Sequence, residues 1–234
     1  MKRSAYDRSI DCLRWIYDGQ IGTPAILDSQ GHFPSRARFS GAWPAFRQEA
    51  LQLEQSLASV PRFHELMPQQ KSLSAHDRRD WRLFVLKAYG VDFPDNAARC
   101  PKLSAAVAAS PEVISAVLSF MAPGKVVPPH RGPFRGIVRY YLGLSVPPAD
   151  DGLPGTTLTI DGLPHRLGEG EDLLWDDTYL HDIRNESAGV RIALLLDIRR
   201  QRMSLPLVWL SVGLVALAGL VVRLRLRPAP RKSL

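Results

Sequence analysis

Apolar positions along the chain first follow a helical rhythm, then a two-residue alternation, and end in an unbroken run. Across Ala5–Asp18, Ile10, Leu13, Ile16 and Tyr17 recur at roughly helical spacing, which predicts an amphipathic helix lying on a domain. Gly19 to Gly41 is loop-rich. Trp43 to Leu57 is helical in pattern, with Phe46, Leu51 and Leu53 apolar. Trp81 to Tyr89, WRLFVLKAY, predicts a buried strand. Ser110-Pro111 predicts a helix start, with Ser110 as N-cap and Pro111 at the first helical position. Val113, Ala116 and Val117 would form its apolar face.

From Ser119 the pattern turns to β. Ile137 to Leu144 reads as a strand with Arg139 and Tyr141 on one face. Thr156 to Ile160 alternates and meets Asp161-Gly162, a hairpin turn. Asp172 to Trp175 is a short strand and Val190 to Ile198 a long one. On the latter, Val190, Ile192, Leu194 and Leu196 share one face, and Arg191, Ala193 and Leu195 the other. Short strands with turns between them predict a sandwich or jelly roll.

The unbroken run is Met203 to Val222, 20 residues without a charge. As a helix it would be about 30 Å long, the thickness of a bilayer core. This divides the chain into a domain over 1–201, a transmembrane helix over 203–222 and a basic tail over 223–234.

Charge refines that division. The net charge of +7 would suit a nucleic-acid partner, but eight of the 30 basic residues lie from Arg199 onward, where no acidic residue occurs. The remainder, 22 basic against 23 acidic, is nearly neutral. The expected partner is therefore a lipid bilayer surface and not nucleic acid. Two cysteines, Cys12 and Cys100, make no disulfide framework and fit a reducing compartment. The first 19 residues scatter their charges and do not read as a signal peptide. A single pass at the C-terminus with a cytoplasmic domain is the expected arrangement. Counting flanking arginines alone favours the opposite side.

Two histidines carry the chemistry. His130 lies in VPPHRGP and His181 in WDDTYLHD, with Arg191 ten residues on. Two imidazoles on a β scaffold followed by an arginine suggest a non-haem Fe(II) site with a 2-oxo acid co-substrate. A carboxylate two residues after the first histidine is the usual third ligand, and that position is Gly132. Asp176 and Asp177 precede His181 and could hold an iron-bound water or orient an imidazole, or serve as turn residues. Arg131 and Arg135 would lie at the mouth of the site or on a solvated loop. His165 belongs to an exposed hairpin, and His32, His64 and His76 look incidental.

The motifs PGKVVPPHRGP, RYYLGL, IDGLPHRLGEGE, WDDTYLHDIRN and RIALLLDI, in this order, resemble the aspartyl/asparaginyl β-hydroxylase family, which includes bacterial lipid A hydroxylases. WRLFVLKAYG upstream is similar too. The resemblance implies a mainly β fold with flanking helices, a double-stranded β-helix of the jelly-roll, cupin-like kind with its β core at about 119–198. It implies hydroxylation dependent on Fe(II), 2-oxoglutarate and O₂, releasing succinate and CO₂. On this resemblance His130 and His181 match the iron ligands and Arg191 the arginine that pairs with the distal carboxylate of 2-oxoglutarate. Ser119 and Arg139 match further co-substrate contacts, and Gly132 matches the branch without a third ligand; Asp177 joins the catalytic set on its own position before His181, not on the resemblance. Tyr141 stands where protein hydroxylases often have histidine, and Leu167 where tryptophan is common. A bacterial inner membrane is the implied setting. The substrate stays open between a membrane lipid acyl chain and an Asp/Asn side chain of a protein or peptide. The rival reading is a membrane-anchored binding protein that keeps the fold without turnover. Arg191 has a structural alternative as the ion-pair partner of Asp176 or Asp177.

Overall fold

In the computed structural model, residues 5–226 are described. Eight α-helices occur among them: α1 (Ala5–Asp18), α2 (Ser29–His32), α3 (Arg36–Ser40), α4 (Trp43–Glu54), α5 (Phe63–Leu66), α6 (Pro94–Arg99), α7 (Pro101–Ala108) and α8 (Leu205–Leu226). The ten strands are β1 (Trp81–Ala88), β2 (Val91–Asp92), β3 (Val113–Met121), β4 (Val126–His130), β5 (Ile137–Ser145), β6 (Thr156–Ile160), β7 (Leu163–Arg166), β8 (Asp172–Trp175), β9 (His181–Asn185) and β10 (Arg191–Arg199).

The strands form a six-stranded sheet in the order β2-β1-β3-β10-β5-β8 and a four-stranded sheet in the order β4-β9-β6-β7. The chain alternates between them, so β3 to β10 wind as a double-stranded β-helix. The Asp161-Gly162 turn closes the β6–β7 hairpin with both residues at positive φ, 50° and 81°, as a two-residue I′ turn requires.

The apolar core lies outside this winding. Tyr140, Leu142 and Leu144 on β5 and Ile192, Leu194 and Leu196 on β10 face the helices. There they pack with Phe46, Ala50 and Leu53 of α4 and Leu103 of α7. Glu49 of α4 accepts from the backbone N–H of Lys102 and Leu103, capping α7 and fixing the two helices together. The opposite face of the large sheet is thus free to carry polar residues toward the small sheet.

Val113–Met121 is a strand and not the helix its spacing predicts. Eight of its nine residues are buried, because β1 and β10 flank it and both sheet faces are covered. A strand buried on both faces loses its alternation, and its apolar run then mimics a helix. Ser110 closes α7 instead, its hydroxyl donating to the Ala106 carbonyl.

The apolar C-terminal run forms α8, which begins at Leu205 and takes in Arg223 and Arg225, residues that the sequence assigns to the tail. Residues 227–234 of that expected tail lie outside the described residues. Leu205–Arg225 is long and apolar enough to cross a membrane. One side of α8 rests on the domain: Leu207 packs on Tyr17 and Ile21, and Ser211 shares a 2.7 Å hydrogen bond with the Tyr17 hydroxyl. Further along, Gly219 passes so close to the Tyr89 carbonyl that a Cβ would lie 2.6 Å from it. The other side exposes Leu205, Trp209, Leu217 and Leu220.

Candidate functional site

Strands β4 and β9 pair so that His130 stands opposite His181. The register slips between Val127 and His130, where Pro128 and Pro129 have no N–H to give the ladder. This bulge brings the two imidazoles face to face, with ring centroids 4.0 Å apart. Each Nδ1 lies within hydrogen-bond distance of a carbonyl two residues back, Pro128 at 2.9 Å and Tyr179 at 2.8 Å. A carbonyl only accepts, so each Nδ1 carries the proton and each Nε2 keeps its lone pair. Burial, with His130 alongside, pushes His181 down to about 3, and burial lowers His130 too. Both rings are neutral near pH 7, the form that ligates metal. The edge of Trp175 meets the His181 ring at 4.4 Å.

Among the described residues, no third His, Cys, Asp or Glu clusters with the pair. The Gly132 position nevertheless borders a carboxylate. A Cβ there would lie 2.3–2.5 Å from the carboxyl atoms of Asp177, and the Gly132 N–H donates to the Asp177 carbonyl at 2.6 Å. Asp177 thus fills the space in which a longer residue at 132 would begin. Its Oδ2 pairs with Arg139 at 3.2 Å, while Oδ1 is buried without a partner. Two neutral imidazoles with free Nε2 lone pairs suit a divalent cation that keeps open positions.

A side chain at position 132 therefore meets the Asp177 carboxyl group at once. Gly132→Ala is already expected to cost about 1–3 kcal/mol, as overpacking does, and a urea midpoint lowered at unchanged slope would register it.

Asp177 also makes stability depend on pH. Burial pushes its carboxyl from the ordinary 3.8 up to about 6, against the opposing pull of Arg139. The folded chain holds this proton more tightly than the unfolded one. The cost of ionising Asp177 is absent below about pH 4 and fully present above about pH 6, where it amounts to roughly 3 kcal/mol. In chelator-treated protein the melting temperature should fall from pH 4 to 6, and Asp177→Asn should flatten that limb.

Asp176 and Asp177 separate in role. Asp176 accepts from Arg135 Nε at 2.9 Å, from Arg200, and from the backbone and hydroxyl of Thr178. Arg135 also pairs with Asp18 at the end of α1 at 2.6 Å. Arg135 is thus buried against carboxylates and is not part of a solvated loop. Arg200, which the sequence counts among the membrane-flanking charges, is buried too and bonds Thr23 and the Arg135 carbonyl. Neither aspartate reaches an imidazole, whose orientation the backbone carbonyls set.

Arg191 is buried, 1% exposed, on the inner face of β10. Among the described residues it has no carboxylate partner, so the ion pair with Asp176 or Asp177 does not form. Its Nη1 donates to Ser119 Oγ at 3.3 Å, Nη2 meets the Met121 sulfur, and Nε has no partner. Its guanidinium lies 5.7 Å from the Tyr141 ring centre. Burial lowers its affinity for its proton. Ser119 also accepts from Trp81 Nε1 at 3.0 Å. Arg139, by contrast, is fully engaged with Asp197 at 2.8 Å and with Asp177. Burial opposes its charge, but these carboxylates hold its proton above the ordinary range.

The sequence missed Trp175, Asp197 and Asn185. The Asn185 amide donates to the carbonyls of Met121, Ala122 and Gly189, tying β9 to the ends of β3 and β10. Asp197, two strand steps from Ala193 on the same face, was legible from alternation alone.

The profile of the family described as Aspartyl/Asparaginyl beta-hydroxylase matches residues 40–201. The ornithine lipid ester-linked acyl 2-hydroxylase of Rhizobium tropici is 33% identical over 178 residues, 76% of this chain and 61% of that protein. The human aspartate beta-hydroxylase domain-containing protein 2 is 29% identical over 141 residues, 56% of this chain and 37% of that protein. The chain thus spans less than two thirds of the length of these relatives. Among solved structures, a Cupin_2 domain of an XRE family transcriptional regulator from Enterobacter cloacae aligns with a TM-score of 0.31 at 17% identity. It covers 37% of this chain and 82% of that one.

Proposed function

The chain belongs to the aspartyl/asparaginyl β-hydroxylase family, and from that premise we propose that it is a membrane-tethered hydroxylase using Fe(II), 2-oxoglutarate and O₂ to hydroxylate a lipid acyl chain. The observation that carries this is the His130–His181 pair, two neutral imidazoles with their Nδ1 protons tied to the backbone. They would hold Fe(II) through Nε2. When bound, the iron supplies activation of O₂, coupled to conversion of 2-oxoglutarate to succinate and CO₂.

The chain's own residues do the rest. Arg191 offers a charged fork in a buried pocket, suited to a carboxylate that forms two parallel hydrogen bonds. Ser119, held by Trp81, adds a hydroxyl beside that fork. Trp175 covers the His181 ring and limits water there. Asp177 keeps an acceptor oxygen in reserve beside the histidine loop, where a water could be held. Arg139, already saturated by two carboxylates, serves in this arrangement to hold Asp177 in place.

A lipid substrate is favoured over an Asp/Asn side chain by two observations. The Rhizobium relative bears the name of a lipid acyl hydroxylase, and the apolar α8 is seated on this domain. Purified full-length protein with Fe(II), 2-oxoglutarate and bacterial lipid extract should release succinate and add 16 Da to a lipid. Succinate release driven only by Asp- or Asn-containing peptides would move the substrate to protein. No release with either would leave a binding protein that retains the fold.

Truncation after Arg202 should free the chain from membranes. It also strips Leu207 from Tyr17 and Ile21, so a lower melting temperature is expected alongside solubility. Resistance of the full chain to carbonate extraction would mark α8 as a span. Release by carbonate would mark it as a helix lying on the surface. Protease access in sealed vesicles reports the side on which the domain lies, expected to be cytoplasmic.

A further inference from the structure

The loops that carry the histidines also wall a second cavity. It measures about 180 Å³ and is lined by Arg14, Asp18, Arg131, Arg135, Thr178 and Tyr179. Arg131 follows His130, and Thr178 lies between Asp177 and His181, so the loops that hold the histidines supply part of its lining. The remaining wall is α1, which lies outside the matched residues 40–201.

The charges in this cavity are unbalanced. Asp18 is occupied by Arg135 at 2.6 Å, and Arg135 in turn holds Asp176. Arg14 reaches over from α1 and donates through Nη2 to the Gly132 carbonyl at 2.9 Å and to the Arg131 carbonyl at 3.4 Å. Its Nε is buried without a partner, and its carboxylate contact, Asp11 one turn back, is 3.8 Å away. Arg131 donates to the Thr178 carbonyl at 3.0 Å and pairs with no carboxylate among the described residues. Two guanidinium groups therefore face the cavity with their positive charge largely uncompensated. Guanidinium forks match phosphate and carboxylate oxygens. The volume lies below the roughly 300–1,000 Å³ of pockets that swallow a whole small molecule, so it suits one charged group of a larger ligand.

The rest of that ligand is indicated by α1 itself. Arg14, Tyr17 and Asp18 occupy one turn of helix. Arg14 and Asp18 line the cavity, while Tyr17 is the seat of Leu207 and Ser211 on α8. The anion-binding wall and the anchor of the apolar helix are two faces of the same turn.

We propose that Arg14 and Arg131 form a head-group subsite that selects a membrane lipid of net negative head-group charge, taking its phosphate or carboxylate while its acyl chain is presented to His130 and His181. The assignment rests on the lipid-hydroxylase reading above and adds to it the class of lipid selected.

The test uses the full chain in neutral detergent micelles, with dihexanoyl phosphatidate, dihexanoyl phosphatidylcholine and inorganic phosphate as probes in calorimetric titrations. Phosphatidate should bind, phosphatidylcholine should not compete with it, and inorganic phosphate should compete only weakly. Arg14→Gln combined with Arg131→Gln should weaken phosphatidate binding at least about tenfold, at a melting temperature near the parent's. Arg14→Lys, which keeps the charge and loses the fork, should fall between. Unchanged affinity in the double variant, or equal binding of phosphatidylcholine, would overturn the subsite. Inorganic phosphate binding as tightly as phosphatidate would make this a free-anion site and overturn the lipid assignment. The selectivity measurements on the parent protein stand even if the double variant does not fold. Binding through these arginines without succinate release would sink the hydroxylase reading and leave the subsite. Lipid-driven succinate release with kinetic constants indifferent to the double substitution would do the reverse.

Discussion

Replacing both His130 and His181 with alanine is expected to strip the chain of iron and of turnover while the fold survives. The pair sits on the four-stranded sheet, apart from the apolar core that packs α4 and α7 on the large sheet. Removing it deletes the two proposed metal donors without opening that core. Loss of a residue that merely orients a metal ligand typically costs 10–100-fold in affinity or activity, so loss of one donor should exceed a hundredfold in each single variant, and loss of both should leave no measurable iron in the double one. His181 packs against Trp175, so His181→Ala should also lower the melting temperature slightly. Iron measured by elemental analysis after reconstitution, beside circular dichroism, separates the two effects. Stoichiometric iron in the double variant would place the metal elsewhere.

The parts of the fold legible in the sequence are those whose residue types keep a helical period or alternate between apolar and polar. The amphipathic α1, the alternating β5, β6 and β10, and the Asp161-Gly162 turn stand where their patterns predict. β3 mimics a helix because it is buried on both faces and its apolar spacing carries no period of two. In the candidate site, the structure brings His130 and His181 together and buries Arg191, three residues that stand in distinctive local contexts. What escaped was the pairing of charges. Arg135 and Arg200 read as solvent-facing or membrane-facing cations, and both are buried on Asp176. Burial of a charge depends on a partner distant in the chain, here 41 and 24 residues away, and no local pattern records it. The same holds for Gly132. The sequence shows a missing carboxylate, and only the fold shows that the carboxylate of Asp177, 45 residues on, fills the space beside it.

Arg191→Met should weaken 2-oxoglutarate binding and at the same time stabilise the protein when 2-oxoglutarate is absent. The guanidinium is buried with a hydroxyl and a sulfur as partners and with Nε unsatisfied. Burial already lowers its affinity for its proton, which means that folding works against this charge. Replacing an uncompensated buried charge with a flexible apolar side chain of similar length removes that cost, and the melting temperature of the ligand-free protein should rise. With 2-oxoglutarate present the sign reverses. A charge-assisted hydrogen bond contributes about 1.5–3 kcal/mol, so the apparent constant for 2-oxoglutarate should increase at least about tenfold, with iron content unchanged. The parent should also gain stability on adding 2-oxoglutarate, by an amount that grows with the logarithm of its concentration, and the variant should not. An arginine placed for structure alone gives the opposite pattern: a lower melting temperature without ligand and an unmoved constant for 2-oxoglutarate. Thermal shift with and without 2-oxoglutarate, alongside succinate kinetics, distinguishes an arginine held for a ligand from one held for the fold.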